Sequence, residues 1–330
     1  MKFDKRSLWI QCTWIVSFLT ITTALEPAVN SRRPIWNIAH MVNSLAEVDV
    51  YLNKGANALE FDVQFNSDGE ALYTHHGFPC DFFRKWWMWE NIDAYLDKMR
   101  NLTTPGHEEF RKELVLLFLD LKVGKLTPLS LKHASKSLAN KLKDIYWKRG
   151  KSGAQAYLMI ALPSLKQIEF IGNFMRTLQE DDASFCSDKI GFTFFGNEDI
   201  ETISSVLHHS QVSHRIWQGD GITNWLPRCY RRLKKLLKMR NEEKIQHFSK
   251  VYWWTVDKMT TMRDILSLGV DAITTNYPDE LSALIKEFPK YIRLADINDN
   301  PWEKHPGKGI IPIKSSSSRL MDKFWQSEEL

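Results

Sequence analysis

Glu60 and Asp62 stand two residues apart in the otherwise apolar run 58–63. In a β-strand, residues i and i+2 share a face, so both acids project the same way from a segment that reads as buried. Adjacent buried carboxylates repel each other unless a cation lies between them. A divalent ion that prefers oxygen ligands, Mg²⁺ first among them, meets that demand. Asp120 and Lys122 repeat the spacing after the apolar run 114–119, although these two can equally be a simple ion pair. His40 precedes the first acidic pair and His76 follows it, each at the end of a strand-like run. Two histidines, three carboxylates and a lysine at strand ends imply metal-assisted acid/base chemistry on a phosphate ester.

These residues need a frame that brings distant segments to one place. Strand-like runs occur at 34–39, 58–64, 114–121, 156–161, 190–194, 215–218, 251–256 and 271–275, with helical patterns between most of them. Eight such alternations predict an α/β fold of the closed (β/α)₈ TIM-barrel type, whose active sites gather at the C-terminal strand ends. A doubly wound sheet would alternate too, but it usually carries an early Gly-rich phosphate turn, and none is present. In the barrel, His40, Glu60, Asp62, Asp120 and Lys122 share one rim with Trp254, Asp257 and Asn276 from the last two strands. Segment 73–106 is long for a strand-to-helix connection. It holds Phe78, Phe82, Phe83, Trp86, Trp87 and Trp89, and the barrel frame places it over the mouth.

The chain of 330 residues, 43% hydrophobic, can bury one large core. A formal net charge of +4 is too small to argue for nucleic acid. The basic run Arg231, Arg232, Lys234, Lys235 and Lys238 reads as a solvated helix face, with attraction to an anionic membrane as the sharper alternative. At the N-terminus, Lys2, Lys5 and Arg6 precede an apolar run at 8–24, the pattern of a secretory signal peptide cut after Ala24. The run is interrupted by Gln11 and Thr13 and falls short of the roughly 20 residues of a membrane span, so the mature chain should carry no transmembrane anchor. The expected organisation is a signal peptide at 1–24, one catalytic barrel at 25–303 and a flexible tail at 304–330. Cleavage leaves Cys80, Cys186 and Cys229, an odd number for a secreted, extracellular chain. Asn101, in Asn101-Leu102-Thr103, is a glycosylation acceptor by pattern.

Longer motifs resemble a known family. His40-Met41-Val42-Asn43, Gly55-Ala56-Asn57, Glu60-Phe61-Asp62, His76-Gly77, Pro79-Cys80-Asp81 and Asp120-Leu121-Lys122 are similar to spider-venom phospholipase D. These are the sphingomyelinase D, or dermonecrotic toxin, enzymes of arachnids. The resemblance continues through Trp217 to Asn224, Tyr252 to Lys258, Thr275 to Asp279 and Asp299 to Glu303. It implies a TIM barrel related to glycerophosphodiester phosphodiesterases, acting as a monomer on phospholipid or sphingolipid at a membrane surface. His40 and His76 would be the catalytic pair, and Glu60, Asp62 and Asp120 would hold one Mg²⁺. Lys122, Tyr252 and Trp254 would line the substrate site, with Asp81, Asp257 and Asn276 orienting the histidines. Family members attack phosphorus with the lipid's own hydroxyl and release a cyclic phosphate plus choline or ethanolamine.

Two departures stand out. The family pairs the cysteine at Cys80 with one a few residues on, and 82–87 contains none. Some relatives carry a bonded cysteine near Cys229, so a Cys80–Cys229 bridge is expected instead. His75 stands where relatives tend to have an aromatic residue. Two other functions remain open. One is a glycerophosphodiesterase on soluble substrates, although those enzymes typically follow the first histidine with arginine where this chain has Met41. The other is an inactive, lipid-binding relative.

Overall fold

The computed structural model describes residues 32–77, 84–180, 183–196, 198–209, 215–222, 228–242, 248–305 and 311. The expected signal peptide lies outside the described residues, as do Cys80 and Asp81. Eleven strands are described: β1 (Arg33–Ala39), β2 (Ala58–Phe65), β3 (Ala71–Thr74), β4 (Glu90–Asn91), β5 (Leu116–Leu121), β6 (Tyr157–Leu162), β7 (Ile190–Phe194), β8 (Ile216–Gly221), β9 (Phe248–Trp254), β10 (Ala272–Thr275) and β11 (Ile292–Leu294). The helices are α1 (Leu45–Asn53), α2 (Ile92–Thr103), α3 (Pro128–Lys141), α4 (Glu169–Glu180), α5 (Ile200–His209), α6 (Arg231–Asn241), α7 (Met259–Leu268) and α8 (Pro278–Glu287).

Strands β1, β2, β5, β6, β7, β8, β9 and β10 pair in parallel, and β1 pairs with both β2 and β10, so the sheet closes. Each barrel strand is a predicted run, within a few residues at either end. One core lies between barrel and helices, and a second fills the barrel interior. The interior takes alternate residues, as the two-residue strand period requires. On β2, Leu59, Phe61 and Val63 face the helices while Ala58 lies inside. On β5, Leu117, Leu119 and Leu121 face the helices while Leu116 and Phe118 lie inside. Glu60, Asp62 and Asp120 continue the inward set toward the C-terminal rim.

Segment 73–106 contains a helix that strand periodicity did not signal. Ile92, Tyr95, Leu96, Met99 and Leu102 of α2 are buried on one face. Asn91 caps it by accepting from the N–H groups of Asp93 and Ala94 at 2.9 and 3.2 Å. Ahead of it, β3 turns back antiparallel to β2 and pairs with β4.

The N-terminal end of the barrel is closed by the chain after β11. The Trp217 indole N–H donates to Pro301 O at 2.9 Å, and Lys250 Nζ donates to Glu303 O at 2.6 Å. The Trp302 ring lies over Gly191, where a Cβ would meet it at 2.2 Å, so that position admits no side chain. In the expected tail, Ile311 is buried in the outer core. The other residues beyond His305 lie outside the described set.

Candidate active site

The C-terminal rim assembles its chemistry from β1, β2, β5 and β10 and the hairpin after β2. The pairing Asp62↔Asp120 sets those carboxylates on neighbouring strands, and Glu60 stands one inward position below Asp62. Ligand atoms of Glu60, Asp62 and Asp120 all lie within 4.8 Å of one another. Lys122 Nζ is 2.6 Å from both Asp62 Oδ1 and Asp120 Oδ2. Asp62 Oδ2 accepts from Asn43 Nδ2 at 2.6 Å, and Glu60 Oε2 accepts from the Met41 N–H at 2.6 Å.

Charge in this cluster is unbalanced. Burial, then the neighbouring Asp62 and Asp120, pushes the Glu60 carboxyl well above the usual carboxylate range. Burial also raises Asp120, with Lys122 pulling against it. Burial would raise Asp62 as well, but Lys122, His76 and Asn43 hold it below its ordinary value. Lys122 is raised despite its burial, because Asp120 and Asp62 favour its charged form. Three acids facing one ammonium, with Glu60 and Asp62 buried and Asp120 partly so, leave two negative charges when all are ionised, the donor set that suits one divalent, oxygen-preferring ion.

His40 follows the last residue of β1 and lies beside Asn276, which follows β10. Its Nδ1 is 3.0 Å from Asn276 Oδ1. Asn276 Nδ2 donates to Asp257 Oδ2 at 2.9 Å, and the Asn276 N–H donates to Asp257 Oδ1 at 2.9 Å. The amide is thereby oriented with its oxygen toward the imidazole, so Nδ1 carries the proton. Burial, reinforced by the charge of Arg84, lowers the His40 pKa to about 4. His76 reaches the same rim from the hairpin: β3 runs back along β2, and the His75 N–H donates to Asp62 O at 3.0 Å. The two rings are 6.5 Å apart, edge to face. His75 turns away, its Nδ1 3.2 Å from Met88 O.

Trp254 is half-buried at the rim, its ring 5.7 Å from Phe195. Tyr252 lies a layer deeper, wholly buried, its hydroxyl 3.1 Å from Thr193 Oγ1 and its ring 5.4 Å from Phe118. Cys229 is an exposed free cysteine whose Sγ accepts the Arg231 N–H at 3.4 Å, and Cys80, its expected partner, lies outside the described residues. Cys186 is buried. Asn101 sits in the last turn of α2, where the Thr103 hydroxyl of its sequon is buried and donates to Met99 O at 2.8 Å.

Two contributors had no role assigned from sequence. Asn43 clamps Asp62 from both sides, its Oδ1 accepting the Asp62 N–H at 2.8 Å while Nδ2 binds the carboxylate. Arg84 is buried, donates to Met41 O at 2.6 Å and stacks 4.3 Å from the Tyr51 ring centroid. Met41 has φ +55°, a strained conformation for a side-chain-bearing residue, and it sits between His40 and the rest of the rim. Its place in the resembled motif was the one sequence signal for Asn43. Arg84 had none.

Comparison with known proteins places this geometry in context. A family model described as dermonecrotic toxin SPH matches residues 30–302. The chain is 47% identical over 279 residues to dermonecrotic toxin StSicTox-betaIB1i of Sicarius terrosus, covering 83% of this chain and 100% of the relative. It is 42% identical over 299 residues to dermonecrotic toxin LiSicTox-betaIA1i of Loxosceles intermedia, covering 88% and 98%. Among solved structures, two glycerophosphodiester phosphodiesterases of Parabacteroides distasonis share the barrel. The TM-scores are 0.50 and 0.51, at 15% and 14% identity, covering 78% and 82% of this chain and 98% and 91% of theirs. That likeness concerns the fold.

Proposed function

The chain belongs to the dermonecrotic toxin SPH family, and from that premise we propose that it is a secreted, Mg²⁺-dependent lyase of the phospholipase D type. Its substrates on this reading are sphingomyelin or lysophospholipids at a membrane surface, cleaved to a cyclic phosphate and free choline or ethanolamine. The observation that carries the reading is the meeting of two histidine rings, 6.5 Å apart, with a carboxylate triad on one rim.

Glu60, Asp62 and Asp120 are the residues that would hold the ion, and their excess of negative charge supports a divalent one. When bound, Mg²⁺ supplies neutralisation of charge on the phosphoryl oxygens. Lys122 adds a fixed ammonium to the same task. With Nδ1 committed to Asn276, His40 accepts a proton through Nε2, from the lipid hydroxyl that attacks phosphorus. As the new P–O bond forms, the bond to the head-group oxygen breaks, and His76 gives that oxygen a proton. Asn276 and Asp257 keep the His40 ring in register; Asp81 keeps the orienting role that the resemblance implies. Trp254 offers a ring face to a cationic head group, and Tyr252 forms the floor beneath it.

Phosphorus NMR tests the reading. Purified protein with Mg²⁺ should convert sphingomyelin, lysophosphatidylcholine or its ethanolamine counterpart to a cyclic phosphate, and EDTA or His40→Ala should abolish the signal. Cleavage of glycerophosphocholine alone would point to a soluble-substrate diesterase, and turnover of none of them to a binding protein. Metal binding has its own readout: Mg²⁺ should raise the thermal midpoint of the wild type and not that of Glu60→Gln.

A further inference from the structure

Trp86, Trp87 and Trp89 lie within four consecutive positions beside the candidate site. Trp87 and Trp89 are 56% and 62% exposed. Leu72 and Tyr73, on β3 alongside them, are exposed as well. Other exposed apolar side chains, such as Leu129 and Val50, stand singly on the outer helices, as is ordinary for a protein surface. Here the rings fall in two contacting sets, next to each other in sequence. The Tyr73 ring lies 6.3 Å from Trp89 and 6.3 Å from His75, and Trp86 lies 6.0 Å from Trp87. The group is also tied to the site, since His75 contacts Met88 O on one side and Asp62 O on the other.

We infer that this aromatic rim docks the enzyme on the surface of a zwitterionic phospholipid bilayer. The inference rests on the lipid-cleaving reading and adds the surface through which the substrate is met. Indole and phenol rings join an apolar body to a polar tip, which suits the boundary between head groups and acyl chains. Within 84–89 the exposed formal charge is Lys85 alone, so attraction to a strongly anionic membrane is not what the patch offers. Among the cations of α6, Arg232 pairs with Asp220, Lys235 with Glu201 and Lys238 with Glu242. Continuity with His75 and His76 puts a docked bilayer beside the rim that must receive the phosphodiester.

The test uses sucrose-loaded vesicles of diacyl phosphatidylcholine with brominated acyl chains. This lipid has no free hydroxyl to attack its own phosphorus, so the proposed reaction does not consume it. Wild-type protein should sediment with the vesicles and lose part of its tryptophan emission to bromine. Trp87→Ala/Trp89→Ala should bind at least about tenfold more weakly and lose that part of the quenching. Trp87→Tyr/Trp89→Tyr should retain most of the binding. Turnover of a monomeric short-chain lysophosphatidylcholine should be the same in all three. Equal vesicle binding by wild type and the alanine variant overturns the inference. So does sedimentation velocity showing a wild-type dimer that the alanine variant breaks, which would assign the patch to a second copy. If the lyase reading fails instead, short-chain turnover is absent in every protein while vesicle binding is still measured.

Discussion

His40 shows how much of a residue's chemistry comes from its partner. An exposed imidazole titrates near 6.5 and carries its proton on either nitrogen. Here Asn276, oriented by Asp257, fixes the proton on Nδ1, and burial lowers the pKa to about 4. The ring is therefore neutral at pH 7 and is lost as a base only as pH falls toward 4. The acid limb of kcat/KM should lie below 6.5, and a limb at the ordinary value would assign the base to another group. Asn276→Ala should lower kcat by about 10²-fold with little change in KM, the cost of a misaligned catalytic group. His40→Ala should cost about 10²–10⁴-fold. Steady-state kinetics on a soluble short-chain substrate separates kcat from KM in each case.

At the scale of elements, Arg84 ties the stretch ahead of α2 to the barrel. It reaches Met41 O, Glu47 and the Tyr51 ring, and so bolts the hairpin to β1 and α1. Arg84→Ala should cost about 3 kcal/mol, since it strands the Glu47 carboxylate in a mostly buried site. Chemical denaturation measures that loss. Activity assayed well below the new melting temperature should also fall, because Met41 loses the donor that holds its strained backbone. Arg84→Lys should recover only part of the loss, since it lacks the planar face that stacks on Tyr51. The helix α2 was legible in principle: its buried positions follow a 3.6-residue period and Asn91 caps it. The tryptophan-rich stretch before it drew the segment toward a loop reading, and no local pattern marks where such a stretch stops.

Across the molecule, closure of the barrel is reinforced by a buried charge cluster below the site. Asp271 accepts from Arg240 and from the Val251 N–H, while Arg33 donates to Leu266 O and Val270 O. Burial alone would raise the Asp271 pKa, but Arg240, then Lys250 and Arg33, lower it below 3.8. Its stabilising contribution is complete above 3.8 and is lost as pH falls through the lower folded value. Asp271→Asn should cost about 3 kcal/mol at pH 6, and the gap to wild type in urea unfolding should narrow by pH 3. An unchanged gap would remove Asp271 from the acid response. The sequence by itself determined the barrel and the inward set Glu60, Asp62 and Asp120. Strand period and strand–helix alternation are local properties, written into every few residues. It also supplied His40, His76 and Asn276 as candidates through their motifs. Only the tertiary structure decided that Asn276 Oδ1 meets His40, that Asn43 grips Asp62, and that Arg84 holds Met41. Those contacts join residues 236, 19 and 43 positions apart, and barrel closure and the fold-back of β3 bring them together.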